Sequence, residues 1–221
     1  MPVKRRKWVV TPRPGPHKKF ESIPLLIIVR DILKLVDNAS DAKKIIKTKE
    51  IFVDGNPRLD LKYPVGLFDV IDIPKIDKQY RVVPTKIGLD LIEIPKQESK
   101  LKLCKINGKT MVKNGVLQLN LHDGKNILTD KKSKDFNTGD SVLIELPSQK
   151  IIDHIKMDKE ILSIITGGQN RGTIAKIKDI IIRRTREPNK IICETKDKEF
   201  EAITDYVFVI GKTKPEIRVS A

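Results

Sequence analysis

Hydrophobic and polar positions near the start of the chain predict two short helices. Residues 25–36 are apolar almost all round, which indicates a buried helix, and Pro24 suits its first turn. Residues 37–40 combine a stop signal with an N-cap signal for a second helix. The second helix has an apolar face and a basic face, formed by Ala42, Ile45 and Ile46 and by Lys43, Lys44 and Lys47. This basic face is either an ordinary solvated surface or a contact for an anionic partner.

Short runs of apolar residues predict strands over most of the remaining chain. Residues 51–53 run into Asp54 and Gly55, a dipeptide typical of a tight hairpin turn, and residues 67–73 follow a turn at 63–66. Residues 75–157 are strand-rich, with one short helix near 95–103. Turn signals in this region stand at Asn107-Gly108, Asn114-Gly115, Asp123-Gly124 and Thr138-Gly139-Asp140. This spacing favours a small β-barrel or an open β-domain.

Residues 165–177 predict two strands joined by a glycine-rich loop. The loop carries Asn170 and Arg171 and no carboxylate, which indicates a hairpin tip that meets an anion. Its glycines have the spacing of a nucleotide-binding P-loop, but Thr173 stands where that motif requires lysine, and a strand follows instead of a helix. Further strands up to residue 211 predict that residues 158–221 form a second small β-barrel.

The first 21 residues differ from the rest of the chain. They contain seven basic residues against the single acidic Glu21, four prolines and no periodic apolar pattern. We expect an extended basic arm, which is either a solvated tail or a segment that becomes ordered on nucleic acid. Within it, Trp8 and His17 are candidates for stacking or hydrogen bonding with RNA, although Trp8 is also suited to anchoring the arm to the protein.

The net charge of +15 over 221 residues indicates a polyanionic partner, because lysine and arginine release counterions when they neutralise phosphates. A membrane surface is the competing partner, but the longest apolar run, residues 25–29, is too short to span a bilayer. Cys104 and Cys193 are separated from each other and from histidines, which predicts two buried thiols in a reducing compartment. The three histidines are scattered, so we expect no metal, no cofactor and no catalytic site.

Several segments resemble one known family. Residues 13–18 (Arg-Pro-Gly-Pro-His-Lys) look like the N-terminal signature of the S4e family of small-subunit ribosomal proteins. Residues 51–71 are similar to its RNA-binding unit of the alpha-L type, and residues 102–105 and 122–124 are similar to its central domain. Residues 165–177 resemble a KOW module, with Ala175 in place of the final glycine. The chain ends soon after this module, as in archaeal-type members of the family.

The resemblance implies an α+β fold with four parts. These are a basic extended arm (1–21), an alpha-L RNA-binding domain (22–74), a central β-rich domain (75–157) and a KOW barrel of the SH3-like type (158–221). It also implies a non-enzymatic, cytoplasmic constituent of the small ribosomal subunit. The implied partners are small-subunit ribosomal RNA and neighbouring ribosomal proteins, without membrane contact and without homo-oligomers.

Candidate RNA contacts follow from this resemblance and from the charge pattern. They are Lys4, Arg5, Arg6, Lys7, Trp8, Arg13, His17, Lys18, Lys19, Lys43, Lys44, Lys47, Arg58, Asn170, Arg171, Arg183, Arg184 and Arg186. The last three also fit a charged edge strand that discourages aggregation. Two other functions remain open from the sequence: a KOW-containing transcription-associated factor, and a targeting factor for RNA modification.

Overall fold

The computed structural model describes residues 9–129, 135–183, 187–195 and 198–219. Within these residues most of the ordered backbone is β-sheet. Helical segments longer than a single 3₁₀ turn occur only between residues 25 and 47 of this described part. The fold is therefore dominated by β-sheet, with the predicted helices as a minor part.

The two predicted helices are present, but the first differs in form. It begins as α1 (Leu25–Ile27), continues as a π-helix over Ile28–Ile32 and ends four residues before the predicted end. The second helix, α2 (Ala39–Lys47), follows Asn38 at the N-cap position, and it buries Ala42 and Ile46. The basic face of α2 remains exposed, as the spacing of its lysines predicts.

The first large sheet has the strand order β3-β2-β5-β6-β7 and is antiparallel throughout. Its strands are β2 (Phe52–Val53), β3 (Asn56–Pro57), β5 (Val70–Ile73), β6 (Lys78–Pro84) and β7 (Leu89–Ile94). The tight turn predicted at Asp54 and Gly55 joins β2 to β3, and both residues have positive φ. Because β5 pairs with β6, this sheet continues across residue 74, where the sequence placed a domain boundary.

Residues 63–66 were expected to form a turn, but they contain a strand. In this segment β4 (Pro64–Gly66) pairs with β1 (Ser22–Pro24) in a separate two-stranded sheet. The pairing ties the chain before α1 to the chain before β5. The next strand consequently begins at Val70, not at residue 67.

The middle sheet has the order β10-β9-β8-β11-β12. Its strands are β8 (Leu101–Met111), β9 (Leu117–Leu121), β10 (Asn126–Thr129), β11 (Ser141–Glu145) and β12 (Ile151–Ile155). The turn predicted at Asn107 and Gly108 is wrong, because these residues lie inside β8 at a bulge in its pairing with β9. The helix predicted near residues 95–103 is reduced to one 3₁₀ turn, Glu98–Lys100, because β8 begins directly after it.

The last sheet has the order β16-β15-β14-β13-β17. Its strands are β13 (Leu162–Ile165), β14 (Ile174–Ile181), β15 (Lys190–Glu194), β16 (Glu199–Ile203) and β17 (Val207–Gly211). The pairing of β13 with β14 confirms two strands on either side of the glycine-rich loop.

The first large sheet has two buried faces, and this explains how the parts of the chain pack together. Successive side chains of a strand point to opposite faces. On β5, Ile71 therefore packs with α1 and α2, whereas Val70 belongs to a second core shared with the middle and last sheets. Val82 and Val83 on β6 divide in the same way. The sheets thus form one packed body in which cationic side chains are held at defined separations.

Candidate nucleic-acid interface

The second half of the predicted arm is docked on the protein. The Arg13 N–H donates a hydrogen bond to the Lys62 carbonyl over 2.9 Å. The ring of His17 lies directly on the backbone of Gly66, where an added Cβ would come within 2.2 Å of the ring. Only glycine fits beneath that ring, so Gly66 sets the docking position.

His17 was predicted to contact RNA, and the structure places it inside the protein instead. Its Nε2 lies 3.0 and 2.9 Å from the two carboxylate oxygens of Asp69. Its side chain is 4% exposed and that of Asp69 is 2% exposed. We therefore remove His17 from the candidate contacts and regard it as the anchor of the arm. Lys4, Arg5, Arg6, Lys7 and Trp8 lie outside the described residues and remain predictions.

A buried group of charges, which we call the charge junction, lies beneath this anchor. It consists of Asp54, Asp69, Lys102, Asp123 and Lys125. The Nζ atom of Lys102 donates to all three carboxylates, at 2.7 Å from Asp54, 2.6 Å from Asp69 and 2.8 Å from Asp123. Lys125 adds a second donor to Asp54 at 2.7 Å. With His17, three basic groups face three carboxylates that lie in different parts of the chain.

The electrostatics of the junction favour the ionised forms. Burial raises the pKa of Asp69, but the Lys102 ammonium and His17 outweigh it and hold that pKa well below its usual range. The pKa of Asp123 is likewise lowered, because Lys102 and its neighbouring cations outweigh burial. Burial lowers the pKa of Lys102, yet the three carboxylates raise it well above its ordinary value. Asp69, Lys102 and Asp123 are therefore charged at neutral pH.

Cys104, His122 and Asp123 also meet here, although the sequence had suggested isolated cysteines and scattered histidines. Their potential ligand atoms lie within 4.8 Å of one another. The contacts do not suit a metal ion. Asp123 already binds Lys102, and burial raises the pKa of the Cys104 thiol well above its ordinary value. Both ring nitrogens of His122 are engaged, since Nδ1 accepts from the Lys105 N–H and Nε2 donates to the Leu67 carbonyl.

The basic face of α2, which we call the lysine face (Lys43, Lys44 and Lys47), is exposed. Lys44 pairs with Asp41 at 3.0 Å across one helical turn, in an exposed geometry that contributes little to stability. Among the described residues, Lys43 and Lys47 have no acidic partner within ion-pair distance. This face is thus available to an external anion.

The hairpin formed by β2 and β3 points its tip toward the middle sheet. Asp54 is buried in the charge junction, and an added Cβ at Gly55 would come within 3.0 Å of the Pro147 side chain. Arg58 follows the hairpin and stacks on Tyr63, with 4.4 Å between its guanidinium carbon and the ring centroid. Burial raises the pKa of Tyr63 to about 12, so the ring stays neutral beneath a half-exposed cation. Arg58 remains a candidate contact, whereas the hairpin tip does not.

The glycine-rich loop abuts the connection between β6 and β7. Gly172 has φ of +80°, and an added Cβ would come within 3.0 Å of the Thr85 Cα. Between the two loops lies a cleft of about 540 Å³, which we call the loop cleft; it is lined by Lys86, Gln169, Asn170, Thr173, Lys198 and Phe200. Arg171, beside the cleft, is half-exposed, and its Nε is buried without a hydrogen-bond partner.

Lys86 and Lys198 were not recognised from the sequence. The Lys198 Nζ donates to the Asn170 side chain over 2.9 Å, and Lys86 lies in the turn closed by Thr85 and Gly88. Within the described part of the chain neither lysine has an acidic partner within ion-pair distance. No local pattern signals them, because they reach the glycine-rich loop only through packing of distant segments.

The basic group at the end of β14 is described only at Arg183. Its guanidinium pairs with Glu187, and its N–H donates to the Asn189 side chain over 2.9 Å. Arg184 and Arg186 lie outside the described residues. Because the Arg183 charge is already paired, its position fits a charged strand edge better than an RNA contact.

The two cysteines are buried and unpaired, as predicted. Burial raises the pKa of Cys193 to about 11, which makes it an unreactive thiol. No helix in the described residues has the length and the apolar character needed to cross a bilayer.

Comparison with known proteins gives one consistent result. The family described as "Ribosomal family S4e" matches residues 76–151. The chain is 48% identical to "Small ribosomal subunit protein eS4" of Methanothermobacter thermautotrophicus, over 97% of this chain and 88% of the relative. The corresponding protein of Archaeoglobus fulgidus is 47% identical, over 96% and 88%.

A solved structure agrees with these relatives. The crystal structure of the 30S ribosomal protein S4e from Thermoplasma acidophilum superposes with a TM-score of 0.74 at 32% identity. The match covers 87% of this chain and 96% of that chain. Both the sequence and the fold are thus similar to the same group of proteins over nearly their whole length.

Proposed function

The chain belongs to the S4e family of ribosomal proteins, and from this premise we propose how it serves as a structural constituent of the small ribosomal subunit. The nearly full-length similarity to archaeal relatives of that name carries the assignment. The chain acts in the cytoplasmic ribosome as a non-enzymatic scaffold. Its partners are small-subunit ribosomal RNA and neighbouring ribosomal proteins, and it works as a single copy without a membrane.

We propose that the chain carries two RNA-associated modules. The order of α1, α2 and the β2–β3 hairpin supports an alpha-L type unit in residues 22–74, to which β6 and β7 add further strands. The five-stranded order β16-β15-β14-β13-β17, with a glycine-rich loop between β13 and β14, supports a KOW module of the SH3-like type in residues 158–221.

The proposed RNA contacts lie on these two modules, on the β6–β7 connection and on the arm. They are Lys4, Arg5, Arg6, Lys7, Trp8, Arg13, Lys18, Lys19, Lys43, Lys44, Lys47, Arg58, Lys86, Asn170, Arg171, Arg184, Arg186 and Lys198. Contacts of this type neutralise phosphates, and they distinguish RNA elements by shape more than by base sequence.

The charge junction supports a scaffolding mechanism. It connects the arm through His17, the first large sheet through Asp54 and Asp69, and the middle sheet through Lys102 and Asp123. Because these parts share one buried ionic contact, the cationic surfaces on them keep fixed separations. A rigid set of cations then holds RNA segments in a defined arrangement, although these segments would otherwise repel one another.

Binding of the protein to transcribed small-subunit ribosomal RNA tests this proposal. The full chain should bind with an affinity that falls steeply as salt rises. Deleting residues 1–12 removes four basic residues but leaves the His17 anchor, and we expect the slope of log K against log salt to fall by roughly three to four. Weak binding that does not depend on salt would contradict the proposal that the chain is an RNA scaffold. The other candidates, a transcription-associated factor and a modification targeting factor, are not favoured by the relatives.

A further inference from the structure

One aromatic side chain is left in water where the arm meets the folded body. The chain has six phenylalanines, and Phe20 is 93% exposed. The other five are buried or half-buried, and Phe68, Phe136 and Phe208 are at most 2% exposed. Leaving such a ring in water forgoes the burial free energy that the other phenylalanines gain. A single exposed apolar side chain is common on protein surfaces, so the inference depends on how this ring is held and on which charges surround it.

Phe20 is also held in place on both sides. Three residues before it, His17 is anchored on Asp69. Directly after its turn, β1 pairs with β4. The turn itself is closed by two hydrogen bonds to the Lys18 carbonyl, one from the Glu21 N–H and one from the Ser22 hydroxyl, each 3.0 Å long. The ring is therefore presented from a short, closed turn and not from a free tail.

The charges around the ring indicate the chemistry of its partner. Lys18 and Lys19 are both exposed, and the Lys19 Nζ lies 6.0 Å from the centroid of the Phe20 ring. Glu21 is the acidic residue of the turn, and one of its carboxylate oxygens lies 3.8 Å from the Lys18 Nζ. An apolar ring beside two lysines matches the arrangement in which a base stacks on an aromatic face while the adjoining phosphates meet cations.

We propose that Phe20 is a stacking residue for an unpaired base of small-subunit ribosomal RNA, with Lys18 and Lys19 binding the phosphates beside that base. This inference rests on the proposed function and deepens it. Contacts with phosphate alone recognise any RNA of suitable shape. A fixed aromatic ring adds a preference for a single-stranded or bulged nucleotide, because only an unstacked base offers its face to a side chain.

The test uses the full chain, transcribed small-subunit ribosomal RNA and substitutions that separate stacking from simple hydrophobicity. Phe20→Ala and Phe20→Leu should each weaken binding about tenfold, because each substitution removes the base–aromatic stack. Phe20→Trp should retain the affinity. All three variants should keep the salt slope, since no charge changes. Ile87→Ala is the matched control, because Ile87 is 87% exposed, follows Lys86 and should contribute nothing to RNA binding.

The measured affinities distinguish base stacking at Phe20 from the alternatives. If the wild-type chain binds the RNA and Phe20→Ala and Phe20→Leu bind equally well, stacking at Phe20 is refuted while the proposed function stands. If Phe20→Leu retains the affinity that Phe20→Ala loses, the ring is only an apolar contact and the stacking proposal fails. A defect that appears only when other ribosomal proteins are present would assign Phe20 to a protein pocket instead. Failure of the wild-type chain to bind would overturn both proposals.

Discussion

The charge junction and the lysine face use the same kind of side chain for opposite purposes. Lys102 is fully buried and binds three carboxylates, whereas Lys43 and Lys47 are exposed and have no acidic partner among the described residues. A buried ammonium is tolerated only when carboxylates or carbonyls compensate its desolvation. An exposed ammonium needs no such partner and remains free to meet phosphate. Burial, and not residue type, separates Lys102 from the lysines proposed to bind RNA.

The two regions also differ in what they specify: the charge junction specifies how the parts of the chain are arranged, and the lysine face is proposed to specify contact with a partner. The junction joins side chains from residues 17, 54, 69, 102, 123 and 125, so it forms only when distant segments are in register. Replacing such a buried cluster by apolar residues is often neutral for stability, but removing one partner leaves a buried charge without compensation. The junction therefore favours one arrangement of the arm and the sheets. The exposed lysines are then proposed to bind RNA from that arrangement.

The largest expected change in the free energy of unfolding comes from a substitution in the charge junction. Lys102→Met leaves three buried carboxylates with too few cations and should reduce the free energy of unfolding by about 3–5 kcal/mol. Urea unfolding of the purified protein measures this loss. Lys125→Met is the matched control, because its side chain is 19% exposed and water can replace it, so its loss should be clearly smaller. A loss below about 1 kcal/mol for Lys102→Met would contradict the role given to the junction.

A smaller change in stability is expected from the titration of His122, which lies beside the charge junction. Burial, and then the Lys102 charge, lower the pKa of His122 to about 4. Because the unfolded chain takes up this proton near pH 6.5 and the folded protein only near pH 4, stability falls as pH decreases through that window. We expect a loss of about 2 kcal/mol between pH 7 and pH 4.5. The pKa values of Asp69 and Asp123 are lowered, so these two carboxylates contribute a separate loss below about pH 4.

Urea unfolding at several pH values separates these contributions. His122→Gln retains an amide donor toward the Leu67 carbonyl and cannot take up a proton in this range. Its stability should therefore change less than that of the wild type between pH 6.5 and 4.5. An unchanged pH dependence in this variant would show that other groups govern the acid response.

Substitutions in the lysine face should change stability least, and they should lower the affinity for RNA. Replacing Lys43, Lys44 and Lys47 with Gln should lower RNA affinity about tenfold and reduce the salt slope by roughly two to three, since up to three phosphate contacts are lost. Thermal stability should stay nearly the same, because the three side chains are exposed and the Lys44–Asp41 pair is an exposed ion pair that contributes little.

The matched control replaces three exposed lysines that have acidic partners. Lys78, Lys159 and Lys178 pair with Glu93, Asp179 and Glu199. Their replacement with Gln removes the same formal charge, but affinity and slope should fall less, since these charges are already neutralised nearby. Equal losses in both triple variants would mean that only net charge matters and that the lysine face is not a specific contact.

Much of the fold follows from local patterns, and the errors have physical causes. The hairpin at Asp54 and Gly55 was predicted correctly because only certain residues accept positive φ at both positions. Asn107 and Gly108 carry the same kind of signal, but pairing on both sides of β8 makes them a bulge in a strand. Pro64 and Gly66 were read as turn residues, yet pairing with β1 makes them a strand. Tertiary pairing overrides local preference in these places.

The candidate site was predictable only in part. The lysine face follows from helical periodicity, which depends on residues three and four apart. His17 was assigned to RNA because it stands in a basic arm, and nothing near it in the sequence reveals Asp69, 52 residues away. Lys86 and Lys198 were overlooked for the same reason, since each approaches the glycine-rich loop from a different part of the chain.

By itself the sequence determined the basic character of the chain, its β-rich class, the amphipathic second helix and the resemblance to one ribosomal family. These properties depend on composition and on neighbours within a few positions. Only the tertiary structure decided which charges are buried against one another and which are left for a partner. The physical reason is that burial is a property of the packed chain. Lys102 and Lys43 have the same side chain, and only the folded surroundings determine that one binds three aspartates while the other faces solvent.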